Sequence, residues 1–238
     1  LAAMRKLDLN SESEIFINNK IVVDINNNTK IVKLRMLDDS GRAIVRGKKL
    51  NEWVFFLQGD SQNFVGGKNN KSHGVDPQGC ITFIDSEIKG ISIYAKNIAC
   101  PNAIHFIRTR GTIDTVKIQN ATYDAFDSDF SNLEIKNIEV NNAGQECLGL
   151  KGGKYKIINA YLNKCGDKAV SSGEISQTII EKIEITDSLF GLAAKDSGII
   201  IAKNVKINKT DVCLIAYRNK IEYQGSYINT SESNYLCE

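Results

Sequence analysis

The chain has 238 residues, of which 42% are hydrophobic, so it can bury a core and is neither a disordered tail nor a miniprotein held by disulfides alone. Its 30 basic and 28 acidic side chains leave a net charge of +2, which is too small to indicate nucleic-acid binding by bulk charge. The 32 Ile and 24 Asn, against only 2 Pro, favour β-strands joined by many tight turns.

The first 79 residues predict short strands without a clear period. The apolar runs are residues 15–17, 21–23, 31–34, 43–45 and 54–57. Residues 59–79 are rich in Gly, Asn and Lys and predict a long loop, in which Lys68, Lys71 and His73 form a modest basic patch. We therefore describe residues 1–79 as irregular coils with a long loop, and residues 80–238 as regular coils of the same continuous domain.

A repeat organises the chain from Cys80 onward. Each unit begins with a short apolar pair flanked by polar residues, and the units start at Cys80, Asn102, Asp124, Glu146, Lys168, Gly191 and Cys213. Three strand-like segments fill each unit of about 22 residues and leave no room for a helix. This period predicts an all-β parallel β-helix, a solenoid of stacked coils. A β-sandwich also has many short strands, but it has no reason to keep so constant a period.

Residues 22 apart are expected to stack in columns, with each coil about 4.8 Å above the last. The predicted inward column is Ala103, Ala125, Cys147, Ala169, Leu192 and Leu214. Outward columns would carry charge, beginning with the acidic coil that contains Asp124, Asp127 and Asp129. Further along the same columns stand Glu146, Lys151, Asp167, Lys168, Ser171, Glu174, Lys195, Asp196, Tyr217 and Arg218.

Acids and cations that run up neighbouring coils suit an acidic sugar polymer. Clustered carboxylates can hold Ca²⁺, so Asp124, Asp127 and Asp129 are the predicted metal ligands. Lys168 or Lys195 would act as the base or the carboxylate clamp, and Asp127 joins them as a catalytic candidate. The predicted substrate-binding residues are Glu146, Asp167, Glu174, Asp196, Tyr217 and Arg218. The alternative is a structural ladder in which these charges satisfy one another.

Residues 165–176 are the least generic stretch, reading Cys-Gly-Asp-Lys-Ala-Val-Ser-Ser-Gly-Glu-Ile-Ser. They resemble the G-D-K-x-x-S-x-G-E-x-S signature of bacterial right-handed β-helix repeat proteins, some of which accompany CotH-kinase or lamin-tail modules in large exported proteins. The likeness extends over about residues 80–230 and implies a right-handed coil. The architecture also looks like that of pectate lyases, polysaccharide epimerases and phage tailspikes, a likeness of fold and not of function.

One departure from that resemblance concerns the coil after the acidic one. Such proteins tend to have an N-D-x-x-D pattern there, whereas this chain reads Gln-Glu-Cys-Leu-Gly at residues 145–149. Gly149 cannot supply a carboxylate, which favours binding without catalysis.

Cysteine and histidine leave two choices open. Cys80 with Cys100, Cys147 with Cys165, and Cys213 with Cys237 would each join adjacent coils if oxidised, yet Cys147 could equally be a small buried thiol. His105 shares a column with Asp127 and could pair with it, or could be a hydrogen-bonded structural histidine. Aromatic residues such as Trp53 and Tyr94 either stack on sugars or pack.

The sequence therefore predicts a carbohydrate-active β-helix that acts on, or binds, an acidic polysaccharide in a groove along the coils, lyase-like if catalytic. The alternatives are a non-catalytic glycan-binding or adhesive module, and a structural spacer or filament subunit of a larger surface protein. No run approaches the roughly 18 apolar residues of a membrane-spanning helix. We expect an extracellular or cell-surface location, no nucleic-acid partner, and either further domains or end-to-end self-association.

Overall fold

The computed structural model describes residues 4–60 and 78–237, and within those ranges it contains strands and turns but no helix. The first half of the chain forms β1 (Arg5–Asn10), β2 (Ser13–Ile17), β3 (Ile21–Asn26), β4 (Ile31–Met36), β5 (Ala43–Asn51), β6 (Val54–Gln58), β7 (Gly79–Ile98), β8 (Asn102–Ile107) and β9 (Arg110–Ala121). The second half forms β10 (Asp124–Ala143), β11 (Leu148–Gly173), β12 (Gln177–Lys195), β13 (Ile199–Lys203), β14 (Val205–Tyr217), β15 (Tyr227–Ser231) and β16 (Asn234–Cys237).

The strands stack as a parallel β-solenoid of about eight turns, which confirms the predicted fold class. β10 pairs in parallel with β11 from Phe126 opposite Leu148 to Ala143 opposite Cys165, a constant offset of 22 residues. Each coil therefore hydrogen-bonds along most of its length to the coil above and the coil below. Corresponding side chains are held in columns about 4.8 Å apart.

Inward columns of identical or similar residues make up the core. One column consists of Ile91, Ile113, Ile135, Ile157 and Ile180, all fully buried. Another part of the interior stacks aromatic rings: Phe83 on Phe106 at 4.7 Å between ring centroids, and Phe106 near Phe126 at 5.3 Å. β-Branched Ile suits this position because its shape packs well on a pleated surface.

The predicted inward column shifts by one residue in its last third. Val170, and not Ala169, pairs with Leu192, because β11 contains one extra residue between Cys165 and Lys168. This bulge absorbs the single departure from the 22-residue spacing. The column through Ala103, Ala125, Cys147 and Ala169 therefore does not continue through Leu192, which lies in the neighbouring column.

The N-terminal strands join the coils less regularly. β1 pairs with β2, and β2 with β5, in antiparallel fashion, while β3 and β4 form an antiparallel hairpin. β5 and β6 pair in parallel with β7, which begins at Gly79. All five strands predicted here are confirmed as β2 to β6. Of the predicted loop at 59–79, residues 61–77 with Lys68, Lys71 and His73 lie outside the described residues.

Asparagine holds one corner of the coils. Asn97, Asn120 and Asn142 adopt positive φ angles of 56°, 61° and 71°, a region that Asn tolerates better than most residues. The amide of Asn120 donates to Asn97 at 2.9 Å, and that of Asn142 donates to Asn120 at 3.0 Å. The turn-forming Asn of the composition therefore serves as a ladder at this corner.

Three disulfides connect neighbouring coils: Cys80–Cys100, Cys147–Cys165 and Cys213–Cys237. The predicted pairs are confirmed, and the alternative of a free Cys147 thiol is wrong. Such bonds persist in oxidising compartments and are compatible with an extracellular location. A helix long and apolar enough to cross a membrane is absent from the part of the chain that the structure describes.

Candidate binding site on the charged face

Polar side chains collect on the outer side of one strand segment in each coil, from β8 to the end of β14. We call this surface the charged face. It consists of His105, Asp127, Asp129, Glu146, Gly149, Lys151, Asp167, Lys168, Lys195 and Tyr217. The register confirms the predicted columns, because Asp129 pairs with Lys151 and Lys195 pairs with Tyr217.

Alternation along the strand places the two aspartates outward. Phe126 and Ser128 are fully buried and belong to the interior columns. Asp127 and Asp129 therefore point to the opposite side, since successive side chains of a strand alternate between its faces. The sequence Asp-Ser-Asp thus sets two carboxylates side by side.

One lysine lies between these two carboxylates. The Lys151 ammonium donates to both oxygens of Asp127, at 2.8 and 3.1 Å, and lies 3.6 Å from Asp129 Oδ1. His105 Nε2 contacts Asp129 Oδ2 at 2.9 Å, and the amide of Asn102 donates to Asp127 at 3.1 Å. His105 shares its column with Asp127, as predicted, but its ring reaches the other aspartate.

The two aspartates differ in acidity. Burial raises the pKa of Asp127 above its usual value, against the attraction of Lys151. Burial would also raise the pKa of Asp129, but the contact with His105 and the charge of Lys151 outweigh it and hold that pKa below the usual value. For Lys151, the attraction of both carboxylates outweighs burial and raises its pKa. Asp127 is thus the carboxylate of this pair with the greater affinity for a proton.

A second group of ions continues the face on the next coils. The Lys168 ammonium lies 2.5 Å from Asp167 and 3.4 Å from Glu146. Lys195 lies 3.8 Å from the same oxygen of Glu146. Burial would lower the pKa of Lys168, but Asp167 and Glu146 outweigh it and the pKa is raised. Burial also raises the pKa of Tyr217, while the charge of Lys168 opposes this.

Gly149 is the point where the two groups meet. A Cβ atom at this position would lie 2.7 Å from Asp127 Oδ1 and 3.0 Å from Glu146 Oε2. The missing side chain therefore allows carboxylates from two coils to approach each other. It also leaves room for Lys151 to reach back to Asp127, one column away. The residue that departs from the family pattern is thus a structural requirement of this face.

Four predicted residues are not on the charged face. Asp124 is largely buried, and its carboxylate accepts the backbone N–H of Glu146 at 2.9 Å. Asp196 is fully buried and accepts the N–H groups of Asn219 and Lys220, both at 2.7 Å, so it orders a turn. Glu174 pairs with Lys220 at 2.6 Å, and Arg218 is exposed beyond Tyr217.

Calcium is a poor match to this donor set. The ligand atoms of His105, Asp127 and Asp129 lie within 4.8 Å of one another, whereas Asp124 is not part of the group. Ca²⁺ prefers six to eight oxygen ligands, and this group offers two carboxylates and a nitrogen. The ammonium of Lys151 already supplies a positive charge between the carboxylates. The structure therefore does not carry a calcium-dependent step.

An exposed aromatic ring next to Asp129 was missed by the sequence reasoning. Phe130 is 62% exposed and has a φ of +53°, which is unusual for a bulky residue. A Cβ on Gly152, one coil away, would lie 2.7 Å from the Phe130 ring, so the ring lies over this glycine. The signal available in the sequence was this 22-residue pairing of a bulky residue with Gly.

Comparison with protein-family models, curated proteins and solved structures finds no match to this chain.

Proposed function

We propose that the charged face binds an acidic polysaccharide lengthwise across the coils. The observation that carries the proposal is that the ammonium groups lie outside the carboxylates they pair with. The Lys151 side chain is 31% exposed, against 7% for Asp127, and Lys195 is 18% exposed, against 11% for Glu146. A polymer approaching the face meets cations spaced along the solenoid axis, which suits carboxylates repeated along a sugar chain.

Phe130 supports a sugar ligand. Its exposed ring flanks Asp129 and Lys151 at the rim of the charged face, and an aromatic face packs well against the apolar side of a sugar ring. A bulky residue held at positive φ is a locally unfavourable choice, and such choices concentrate at functional sites.

The lysines favour binding over proton abstraction. The raised pKa values of Lys151 and Lys168 mean that both side chains hold their protons at neutral pH. A general base must be deprotonated to act, so these two residues serve better as carboxylate clamps. We therefore place the chain among the right-handed, pectate-lyase-like β-helices as a glycan-binding module on the cell surface or in the exterior, which the resemblance of residues 166–176 and the three disulfides support.

The first prediction concerns Lys195, whose ion pair is the longest on the charged face. In affinity electrophoresis with polygalacturonate, we expect Lys195→Gln to weaken retardation about 5- to 10-fold, because one exposed clamp is lost. Lys206→Gln is the matched control, since Lys206 forms a similarly long ion pair of 3.6 Å with Glu184 on another segment of the coils. This control is expected to bind as the wild type does.

Equal binding by the wild type and Lys195→Gln would contradict the proposed face. Retardation by neutral dextran to the same extent would contradict selection for acidic polymers. Appearance of unsaturated uronides, detected by ultraviolet absorbance in the same mixtures, would replace the binding proposal with a lyase.

A structural spacer is the second candidate, and one observation favours it. Lys151, Lys168 and Lys195 each have an acidic partner within 4 Å, so the charges can satisfy one another without a ligand. If the face is only a ladder, Lys195→Gln lowers the melting temperature while no acidic glycan retards the wild type. Binding of polygalacturonate by the wild type distinguishes the two candidates.

A further inference from the structure

A second surface, chemically unlike the charged face, lies on a different strand segment of each coil. It is a groove of about 420 Å³ on the outer side of β6, β7, β9 and β10, lined among others by Phe56, Gln58, Tyr94, Lys117, Gln119 and Asn141. We propose that this groove binds an uncharged, linear glycan, independently of the acidic polymer on the charged face.

Two aromatic rings form the apolar part of the groove. Phe56 and Tyr94 stand in one column on adjacent coils, with ring centroids 5.2 Å apart and planes inclined by 16°. That separation exceeds face-to-face contact, so the rings are offset and part of each face is uncovered. Phe56 is 40% exposed, although neighbouring Phe55 and Leu57 fill the core. The sequence therefore spends an aromatic residue on the outside of this strand.

Amide side chains flank the rings. Gln58, Gln119 and Asn141 occupy one outward column beside the aromatic column and line the same groove. Amides offer both donors and acceptors, which matches the hydroxyl groups of an uncharged sugar. Their spacing of one coil suits a polymer that presents the same hydroxyl groups repeatedly.

The charges in this groove are largely balanced. Lys117 and Glu139, the next members of the aromatic column, form an ion pair of 2.9 Å. Lys96 also lines the groove, but it has no neighbouring lysine in its column, where Gln58 and Gln119 stand on either side. A row of cations such as that on the charged face is therefore missing from this described surface. Its aromatic and amide composition favours a neutral glycan over an acidic one.

The test uses native affinity electrophoresis with soluble mixed-linkage β-glucan and galactomannan. We expect Tyr94→Ala to raise the dissociation constant at least 10-fold, and Tyr94→Phe to stay within 2-fold of the wild type. Tyr161→Ala is the matched control, because Tyr161 lies in the same column, is 41% exposed and is not part of the groove lining. This control is expected to bind normally.

Two outcomes would overturn the proposal: no retardation of the wild type by either neutral glycan, or the same loss in Tyr161→Ala as in Tyr94→Ala. Melting temperatures of all variants show whether a loss reflects unfolding, and Phe56→Ala provides a second variant if Tyr94→Ala does not fold. Retardation by polygalacturonate, measured in parallel, reports on the charged face alone, so failure of one site is distinguishable from failure of the other.

Discussion

Gly149 shows how a single missing side chain can decide the chemistry of a surface. A methyl group there would lie 2.7 Å from an Asp127 oxygen and 3.0 Å from a Glu146 oxygen, closer than ordinary contact. We expect Gly149→Ala to lower the free energy of unfolding by about 1–3 kcal/mol, the usual cost of overpacking, as measured by urea denaturation. Gly225→Ala is the control, because nothing lies within 4 Å of its Cβ position. Equal effects of the two changes would contradict this view of Gly149.

Asp129 gives the charged face a dependence on pH. Its pKa is held below the usual value by His105 and Lys151, despite burial. Ionised Asp129 therefore stabilises the fold above the pKa of an unfolded Asp, about 3.9, and this contribution is lost as the pH falls through the lowered pKa. We expect the wild type to lose more stability than Asp129→Asn between about pH 5 and about pH 2, measured by thermal unfolding. Asp24→Asn, at a side chain 73% exposed, should follow the wild type.

Side-chain reach is the part of the site that columns could not predict. The sequence places His105 beside Asp127 and Asp129 beside Lys151, and both registers are confirmed. The contacts run diagonally instead, His105 to Asp129 and Lys151 to Asp127. The 22-residue period determines which backbones are adjacent, whereas the space left by Gly149 determines where long side chains turn. Asp196 was likewise in a predicted column, but the following turn buries its carboxylate.

At the level of the coil, each disulfide closes a loop of about one turn, with sequence separations of 20, 18 and 24 residues. A loop of this length is worth about 3 kcal/mol through the unfolded state. We expect Cys147→Ser with Cys165→Ser to lower the free energy of unfolding by roughly this amount, measured by urea denaturation of the oxidised protein. A double variant as stable as the wild type would show that the coil is held by its ladder and core alone.

The order of the coils was predictable because one period governs both backbone pairing and burial. Strands from Cys80 onward follow that period, and the single bulge between Cys165 and Lys168 shifts the column by one residue. A bulge leaves no mark in hydrophobic patterning when the residues on both sides are small, as they are at Ala169 and Val170. The antiparallel pairing of β1 with β2 was beyond prediction for the same reason, since these strands carry no repeat.

At the scale of the whole molecule, the solenoid offers two long outer surfaces with different chemistry. The charged face carries lysines over paired acids, and the groove between β6 and β10 carries aromatic rings and amides. Because they occupy different segments of each coil, two polymers could lie along the axis at once. A module of this kind would cross-link unlike polysaccharides, which suits an adhesive role at a cell surface.

The disulfides also have a mechanical consequence. A solenoid pulled from its ends peels apart coil by coil, since each coil bonds only to its neighbours. The bonds Cys80–Cys100, Cys147–Cys165 and Cys213–Cys237 stand near the start, middle and end of the regular stack. Each withholds a loop worth about 60–80 Å of extended chain. Under tension, the protein would therefore lengthen in short, interrupted steps and keep three looped segments closed until the sulfurs themselves are reduced.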